Sequence, residues 1–588
     1  MSCDKLVFDL SQEVEGSPSV FVKKDWLNIL DNQNGNYNSN QSVIDTSQLS
    51  NSNKWLSYRE GYLAVPMLLT LATTDLATSQ NFLPETSAGT GSADYAVGLK
   101  NWFGQIVHSL TLDYNGVTII QQTPYCNMWN SFKLMTSLSW NDVWTQGATI
   151  GFYPDDPLAF KFIKSGTATA SGMGVCNNST AGAFATTSGA FNNYRSGQGN
   201  EGFVRRQQYI NFDADGVVGT AGVPGAVVPG TYDNTMLSAI GAGQIWKSYI
   251  SKKVDGTGAG GVQGVFQISI MATIYLKHLH SFFASVPLLK GAYMKMTLNL
   301  NNTTTNFNTT AGITTLVSVS NAVGGVNPIM IADATAGQGG VALGNSTYSA
   351  NISVGATCLS PALASTIGVQ KGGVAQSVYL YLPSYSFNPV FESAYLSSPI
   401  KQIQYTDIYQ YQVKDIQAQT GIINQLITNG IANIKSILVV PFFTDQVAHS
   451  GLPTGTPVYQ SPFDPAGTGA TSPLINLTNF NVVVSGQNAI YNTQRYSFEE
   501  FNNQLYGVNA VNGGMTDGLT SGLIDRLGFD MEFCYYYVDL SRMLPVEESV
   551  PKSIQLIGQN LSKSNIDLFC FVEYGVGTAI DCLTGIRV

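Results

Sequence analysis

The sequence runs to 588 residues, 44% apolar but only 11% charged, with 28 basic against 38 acidic side chains and a net charge of −10. So long a chain exceeds what one hydrophobic core normally holds and predicts two or more domains. Charge at less than half the roughly 25% usual in soluble proteins predicts a surface hidden in an assembly or clothed in Ser, Thr, Asn and Gln. Phosphate neutralisation needs clustered Lys and Arg; the densest basic group is Arg205-Arg206, which excludes a polycation tail.

Met1 to Phe8 has no apolar core of signal-peptide length, and no uncharged apolar run approaches the ~20 residues that span a bilayer. The cysteines at 3, 126, 176, 358, 534, 570 and 582 are odd in number and form no C-x-x-C pair. Such scattered thiols read as reduced and intracellular.

In chain order, the first strands are expected at 61–71, 103–114 and 117–122. Segment 110–138 reads as strand, tight turn, strand, short helix, with Asn115-Gly116 supplying the two positive φ angles of a hairpin. In Phe266 to Leu276 every second residue from 266 to 276 is apolar, and in Gly291 to Leu300 Ala292, Met294, Met296, Leu298 and Leu300 share one face. This period of two marks strands with one face on a core. Further strands are expected at 347–354, 377–382, 403–413, 434–443, 479–485, 529–538 and 566–574. Helices are few; the clearest is Ser497 to Leu505, with Ser497 and Glu500 as a capping box and Gly507 placed to close it.

The chain repeats itself coarsely. Segment 477–506 follows the order of 110–138, with its turn at Ser485-Gly486-Gln487-Asn488. Segments 266–300 and 529–560 are each a strand, a connection containing Val286-Pro287 or Val550-Pro551, and a strand from Lys290 or Lys552. Two copies of one β domain are therefore expected. The first copy is much longer, and its excess falls largely at 164–262, rich in Gly, Ala, Ser, Thr and Asn. That stretch reads as an elaborate loop, and a second stretch of this composition, 302–375, as a late strand plus the connection between domains.

No constellation reads as an active site. His278-Leu279-His280 has the i, i+2 spacing of a strand metal site, but no acidic residue follows at a useful distance, so turn hydrogen bonding is the expected use. Gly256 to Gly261 lacks the Lys-Ser/Thr of a phosphate loop. Asp213 to Gly216 lacks the closing Glu of a calcium loop. Asp155-Asp156, between Pro154 and Pro157, reads as a rigid turn. Tyr535-Tyr536-Tyr537, with Phe533, Phe569, Phe571 and Tyr574, could form a stacking platform. On strands half of such a run is core, and the remainder is expected at a subunit interface. No catalytic, cofactor-binding or metal-binding residue is assigned.

Three stretches carry a family resemblance. Leu99 to Pro157 (LKNWFGQIVHSLTLDYNGVTIIQQTPYCNMWNSFKLMTSLSWNDVWTQGATIGFYPDDP) resembles the first jelly roll of the double jelly-roll major capsid proteins of virophages and polinton-like viruses. Leu276 to Asn301, including VPLLKGAYMKMTLNLN, resembles that domain's late strands. KSIQLIGQNLSKSNIDLFCFVEYGVGTAIDCLTGIRV is similar to the closing strands of the second jelly roll. The stretches 164–262 and 302–375 fall outside it. Some family members carry a further C-terminal domain; none is expected here, since the chain stops soon after its last expected strand.

The resemblance implies an all-β chain of two tandem eight-stranded jelly-roll sandwiches. The first would occupy 1–370, with the 164–262 insertion and a low-complexity connection at 302–370, and the second 371–588. It implies a non-enzymatic structural subunit of an icosahedral virion enclosing double-stranded DNA, built as pseudo-hexagonal homotrimers. Its partners would be a penton protein and minor capsid or cement proteins, with no sequence-specific nucleic-acid binding and no transmembrane segment. A carbohydrate-binding or adhesive β-sandwich is the alternative, and a two-domain metal-dependent oxygenase, short of ligands with only four histidines, comes third.

Overall fold

A computed structural model describes residues 19–73, 96–154, 263–332, 346–355, 377–444, 457–462, 475–490, 496–509, 522–541 and 550–588, with short breaks at 38, 50–53, 311–312, 532 and 563. It also describes 161–162, 175–176, 208–209 and 248–255. The first part holds β1 (Phe21–Leu30), β2 (Gln41–Asp45), β3 (Trp55–Leu56), β4 (Tyr62–Thr73), β5 (Ala96–Leu99), β6 (Val107–Tyr114) and β7 (Val117–Ile120), then helices α1 (Cys126–Ser137) and α2 (Trp140–Ile150). Short strands β8 (Lys161–Phe162), β9 (Val175–Cys176) and β10 (Gln208–Tyr209) precede β11 (Ser248–Asp255) and β12 (Gln263–Tyr275). Then come α3 (Leu276–Leu279), α4 (Ser281–Ser285), β13 (Met294–Leu300), β14 (Thr303–Thr310), β15 (Ile313–Asn321), β16 (Ile329–Ala332), β17 (Ser346–Val354) and β18 (Tyr379–Phe387). Past helix α5 (Pro389–Leu396) lie β19 (Ile400–Ile416), β20 (Ile422–Ile431), β21 (Ile434–Phe443), β22 (Leu477–Val484) and β23 (Gln487–Asn488). Helices α6 (Phe498–Asn509) and α7 (Arg526–Met531) and strands β24 (Tyr536–Asp539), β25 (Lys552–Asn560) and β26 (Ile566–Asp581) complete the chain.

The pairing order defines the architecture. Strands β19 to β26 form two antiparallel sheets, β19-β26-β21-β24 and β20-β25-β22-β23. Numbered one to eight along the chain, they pair as 1-8-3-6 and 2-7-4-5, the order of a jelly roll. The first part repeats it: β1-β18-β4-β12 forms one sheet and β2-β13-β6-β7 the other. The chain is thus all-β in its framework, with two eight-stranded jelly rolls in tandem. Both fourth-to-fifth-strand hairpins turn through two positive-φ residues, Asn115 (48°) with Gly116 (81°) and Ser485 (47°) with Gly486 (86°). That geometry matches the twist of the flanking strands.

The first sandwich is enlarged within its own sheet. Strand β18 pairs with β4 only at 62–64, while β17 takes up the same edge of β4 at 67–73 and carries β14 and β15 beyond it. The stretch 302–370, read from composition as one late strand at 347–354 plus a connection, contains that strand as β17 and three more, β14, β15 and β16. The pattern of the added strands was hidden because polar residues share the buried positions with apolar ones such as Phe307 and Ile329. Thr303, Thr305, Ser349, Asn351 and Ser353 are all buried, and Asn351 Nδ2 donates to Thr304 Oγ1 at 2.7 Å while Asn327 Nδ2 donates to Thr305 Oγ1 at 2.9 Å. Buried amides and hydroxyls that satisfy one another need no apolar alternation.

The divide between sandwiches also moves. Tyr379–Phe387 pairs with β1 and β4, so the first sandwich reaches 387 and not 370. Helix α5 starts with Asn388 accepting from the Val390 N–H and with Pro389 in its first turn. It stays with the first sandwich: Glu392 accepts from Trp55 Nε1 at 2.9 Å and Tyr395 stacks on Phe387 at 5.4 Å. Three smaller expectations change. Residues 526–531 are helical, so the strand expected at 529–538 begins at Tyr536; residues 103–106 form a short 3-10 turn before β6; and Gly507 lies inside α6 rather than at its end. Strands β1, β2 and β20 went unread because their burial is partial and their outward residues include apolar ones such as Val22, Trp26, Ile422 and Leu426. Most of 164–262 lies outside the described residues, as do Gly256 to Gly261, Asp213 to Gly216, Asp155-Asp156 and Arg205-Arg206.

One end of the second sandwich is tied by a buried asparagine. Asn560, at the end of β25, donates through Nδ2 to the carbonyls of Ile416, Gln417 and Ser564 at 3.0–3.2 Å and accepts from the Ser562 N–H at 2.9 Å. Asn301, just past β13 in the first sandwich, likewise donates to the Gln105 and Val326 carbonyls. Asn560→Ala strands several buried carbonyls and is expected to cost about 2–3 kcal/mol, read as a lowered chemical-denaturation midpoint at unchanged slope.

Candidate functional site

The residues singled out by their chemistry converge on the seam between the two sandwiches. Helix α1 follows the first sandwich's hairpin and lies across the outer face of the sheet β19-β26-β21-β24. Residues 568 to 572 of β26 are all fully buried. Alternation sends Leu568, Cys570 and Val572 into the sandwich core, and Phe569 and Phe571 the other way. Those outward rings meet the first sandwich: Tyr125 lies 4.8 Å from Phe569 edge-on, and Trp129 lies 6.3 Å from Phe571. Phe132 of α1 packs against Tyr535 (5.1 Å) and Tyr537 (5.4 Å), while Tyr536 points inward onto Phe480 (4.7 Å). The aromatic run is therefore half core, and its other half meets the first sandwich of the same chain rather than the subunit interface expected of it. Each such ring gains about 1.5–3 kcal/mol from burial, and each pair about 0.5–1.5 kcal/mol more.

Polar contacts continue the seam. The Lys133 ammonium is 3.9 Å from the buried Glu573, which accepts from Ser436 Oγ at 2.8 Å. Thr123 Oγ1 donates to the Ile408 carbonyl (2.9 Å), Tyr405 OH to the Ile119 carbonyl (3.0 Å) and Lys100 Nζ to the Ser461 carbonyl (2.6 Å). At the chain's end the Lys290 N–H donates to the Cys582 carbonyl at 2.9 Å, and the Asn115 amide reaches the Gly585 carbonyl.

A cleft of about 230 Å³ opens along this seam, lined in part by Trp129, Lys133, Lys277, His278, His280 and Thr406. The two histidines are not on a strand as their spacing suggested: His278 lies in α3, and His280 caps α4 by accepting from the Phe282 N–H at its Nδ1 (3.2 Å). That fixes the proton on Nε2, which faces Asp407 Oδ1 of β19 at 3.4 Å. The acidic partner missing from the neighbouring sequence thus arrives 127 residues later. Ser281 adjoins this pair, but its hydroxyl donates to the Thr406 carbonyl (2.6 Å) and accepts from the Thr406 N–H (3.0 Å). With Nδ1 engaged in the cap and Nε2 carrying the proton, the imidazole has no free lone pair to activate a nucleophile. The arrangement orients backbone across the seam.

Burial pushes His108 down to about 4, and burial with the adjacent Lys277 charge does the same to His278. Burial pushes the Cys126 thiol up to about 12, which leaves it inert as a nucleophile at neutral pH. Among the described residues Cys126, Cys534, Cys570 and Cys582 are not in disulfides, and no cluster of three or more His, Cys, Asp or Glu is placed to hold a metal ion. No helix among them is long and apolar enough to cross a membrane.

No family model matches the chain, and no curated protein matches it. Solved structures align along almost all of it. The Sputnik virophage structure from cryo-electron microscopy aligns at 11% identity and TM-score 0.46, covering 98% of this chain and 90% of that one. The mavirus major capsid protein aligns at 9% and 0.44, covering 98% and 92%, and the Faustovirus major capsid protein at 10% and 0.41, covering 98% and 94%.

Two outcomes test the seam. Phe132→Ala removes a ring shared by both sandwiches and is expected to cost about 3–4 kcal/mol, seen in calorimetry as a lower melting temperature. Separately, the unfolded chain protonates its imidazoles at about pH 6.5, whereas folded His108 and His278 resist protonation down to about pH 4. The unfolded state therefore holds more protons in that window. The contribution of these histidines is complete above pH 6.5 and is lost as the pH falls toward 4. In the double variant His108→Gln/His278→Gln the melting temperature should fall less steeply over that range than in the wild type.

Proposed function

We propose that this chain is the major capsid protein of a double-stranded DNA virus, a structural subunit that acts by burying surface and catalyses no reaction. The observation that carries the reading is the pairing order 1-8-3-6 with 2-7-4-5 occurring twice, in two sandwiches locked side by side by an aromatic seam. A single tower of this kind has one lateral contact to offer, whereas two fused towers turn a three-fold ring into six similar positions. Heterologous contacts about a three-fold axis close, and six towers fill a hexagonal lattice. The sequence resemblance at Leu99 to Pro157, Leu276 to Asn301 and the closing strands points the same way. The sparse charge suits a subunit whose lateral surfaces end in dry interfaces.

Under this reading the chain resides in the virion shell, after assembly in the infected cell. It tiles through itself, with a penton protein at vertices and minor cement proteins between capsomers, and encloses the genome as a wall with no sequence-specific contact. Three copies of 63.0 kDa give 189 kDa. Light scattering after size exclusion should find a particle of that mass, with a hexagonal outline in negative stain. A monodisperse 63.0 kDa monomer at high concentration would sink the reading and turn attention to the carbohydrate-binding alternative.

A further inference from the structure

The cleft along the seam is a cationic place in an acidic chain. The sequence has 28 basic residues against 38 acidic ones, yet Lys133 and Lys277 both line this one cleft, with His278 and His280. None of its lining residues is acidic. Lys133 belongs to α1 and Lys277 and His278 to α3, whereas Thr406 and Ile408 belong to β19, so both sandwiches supply walls. The neighbouring carboxylates are already engaged. Glu573 accepts from Ser436 Oγ at 2.8 Å, and Asp407 accepts from the Ile408 N–H at 2.8 Å and faces His280. Lys133 stands 3.9 Å from Glu573, beyond the roughly 2.7–2.9 Å of a charge-assisted hydrogen bond, so its half-exposed ammonium keeps donors for another anion. Among the described residues the exposed Lys277 pairs with no carboxylate; its ammonium lies 5.5 Å over the Tyr275 ring. The His278 imidazole is edge-on to the same ring at 5.9 Å, and its Nδ1 is buried with no hydrogen-bond partner among the described residues. Buried polar atoms are nearly always paired, so an unpartnered nitrogen in a cleft with two ammonium groups points to a ligand oxygen.

We propose that this cleft binds a phosphoryl group, as free phosphate or a small phosphate monoester, held by the Lys133 and Lys277 ammonium groups and a hydrogen bond from His278 Nδ1. Burial and the Lys277 charge hold His278 down to about 4, so at neutral pH the ring is uncharged with one N–H, which on Nδ1 donates to an anionic oxygen. The choice of phosphate over carboxylate follows from the donors. Arginine's planar fork suits a flat carboxylate, and no arginine lines the cleft. Lysines act as point charges, which suits a compact dianion. Size agrees: about 230 Å³ lies below the roughly 300–1,000 Å³ of sites for drug-sized ligands, leaving room for a phosphate and a few attached atoms. Duplex nucleic acid is a poor match, because each phosphate brings neighbours that need further basic residues and the cleft has none. The walls belong to both sandwiches, so a ligand seated there binds only the packed pair, and the melting temperature rises with its concentration. All the residues involved belong to one chain, so the site does not depend on the trimer reading.

The test is isothermal titration calorimetry on the full-length protein, with inorganic phosphate, glycerol phosphate, succinate and a duplex DNA oligonucleotide as separate probes. Saturable binding of inorganic phosphate or glycerol phosphate is expected, tighter than succinate and accompanied by a higher melting temperature. The tighter of these two phosphate probes identifies the source of the phosphoryl group. Lys277→Ala removes an exposed side chain that the fold does not need, and it should weaken that binding about tenfold, the loss of one charged hydrogen bond. Lys295→Ala, which removes an exposed charge on β13 away from the cleft lining, should leave the affinity unchanged. No saturable binding of either phosphate probe overturns the assignment, as does binding that Lys277→Ala leaves intact. Succinate binding as tightly as phosphate, or binding of the DNA alone, overturns it too. None of these outcomes alters the scattering mass on which the trimer reading stands.

Discussion

The outward face of the second sandwich's larger sheet is apolar, and everything else in the molecule is arranged around keeping it dry. Phe569, Phe571, Leu438 and Tyr537 would form a water-facing patch on an isolated sandwich, of the kind that drives association. Helix α1 covers it, so the buried residues of the two sandwiches form one continuous cluster. Two consequences follow. The linker helix α5 has no need to hold the domains together, and it docks instead on the first sandwich through Trp55 and Phe387. Some of the polar groups at the seam are satisfied in place: His280, Ser281, Thr406 and Asp407 bond to backbone and to one another.

That arrangement bears directly on chemistry. A serine, a histidine and an aspartate adjoin at one buried place, yet the hydrogen-bond ledger leaves none of them able to react. The thiols and imidazoles nearby are held neutral by burial, which stabilises packing above pH 6.5 rather than tuning a catalyst.

Much of the framework was legible in the sequence because of one physical regularity. Where a strand has one face on a core and one in water, side chains alternate, as in Phe266 to Leu276 and Met294 to Leu300. The duplication was readable for a related reason. Asn115-Gly116 and Ser485-Gly486 meet a backbone demand that few residue pairs satisfy, so the hairpins left a mark in both copies. The signal failed where that regularity fails. In 303–332 Thr303, Thr305 and Asn327 share the buried positions with apolar residues such as Phe307 and Ile329, and polar composition passed for a connection. At β18 the pattern showed a strand but not its partners, since pairing with β1 and β4 joins residues more than 300 positions apart.

By itself, then, the sequence determined the secondary-structure class, the two copies of one β domain and the local turn and capping chemistry, because these depend on neighbours within a few residues. Tertiary structure alone decided which strands share a sheet, where the first sandwich ends, and what covers each face. It brought Asp407 to His280 and Phe132 to Tyr537, contacts between segments that no local period connects. Among the described residues it also left one aromatic sheet face sealed and its counterpart with Trp26 50% exposed. Outward-facing rings on a strand look alike in a sequence whether a helix covers them or water does, since covering is a property of distant chain brought near by packing.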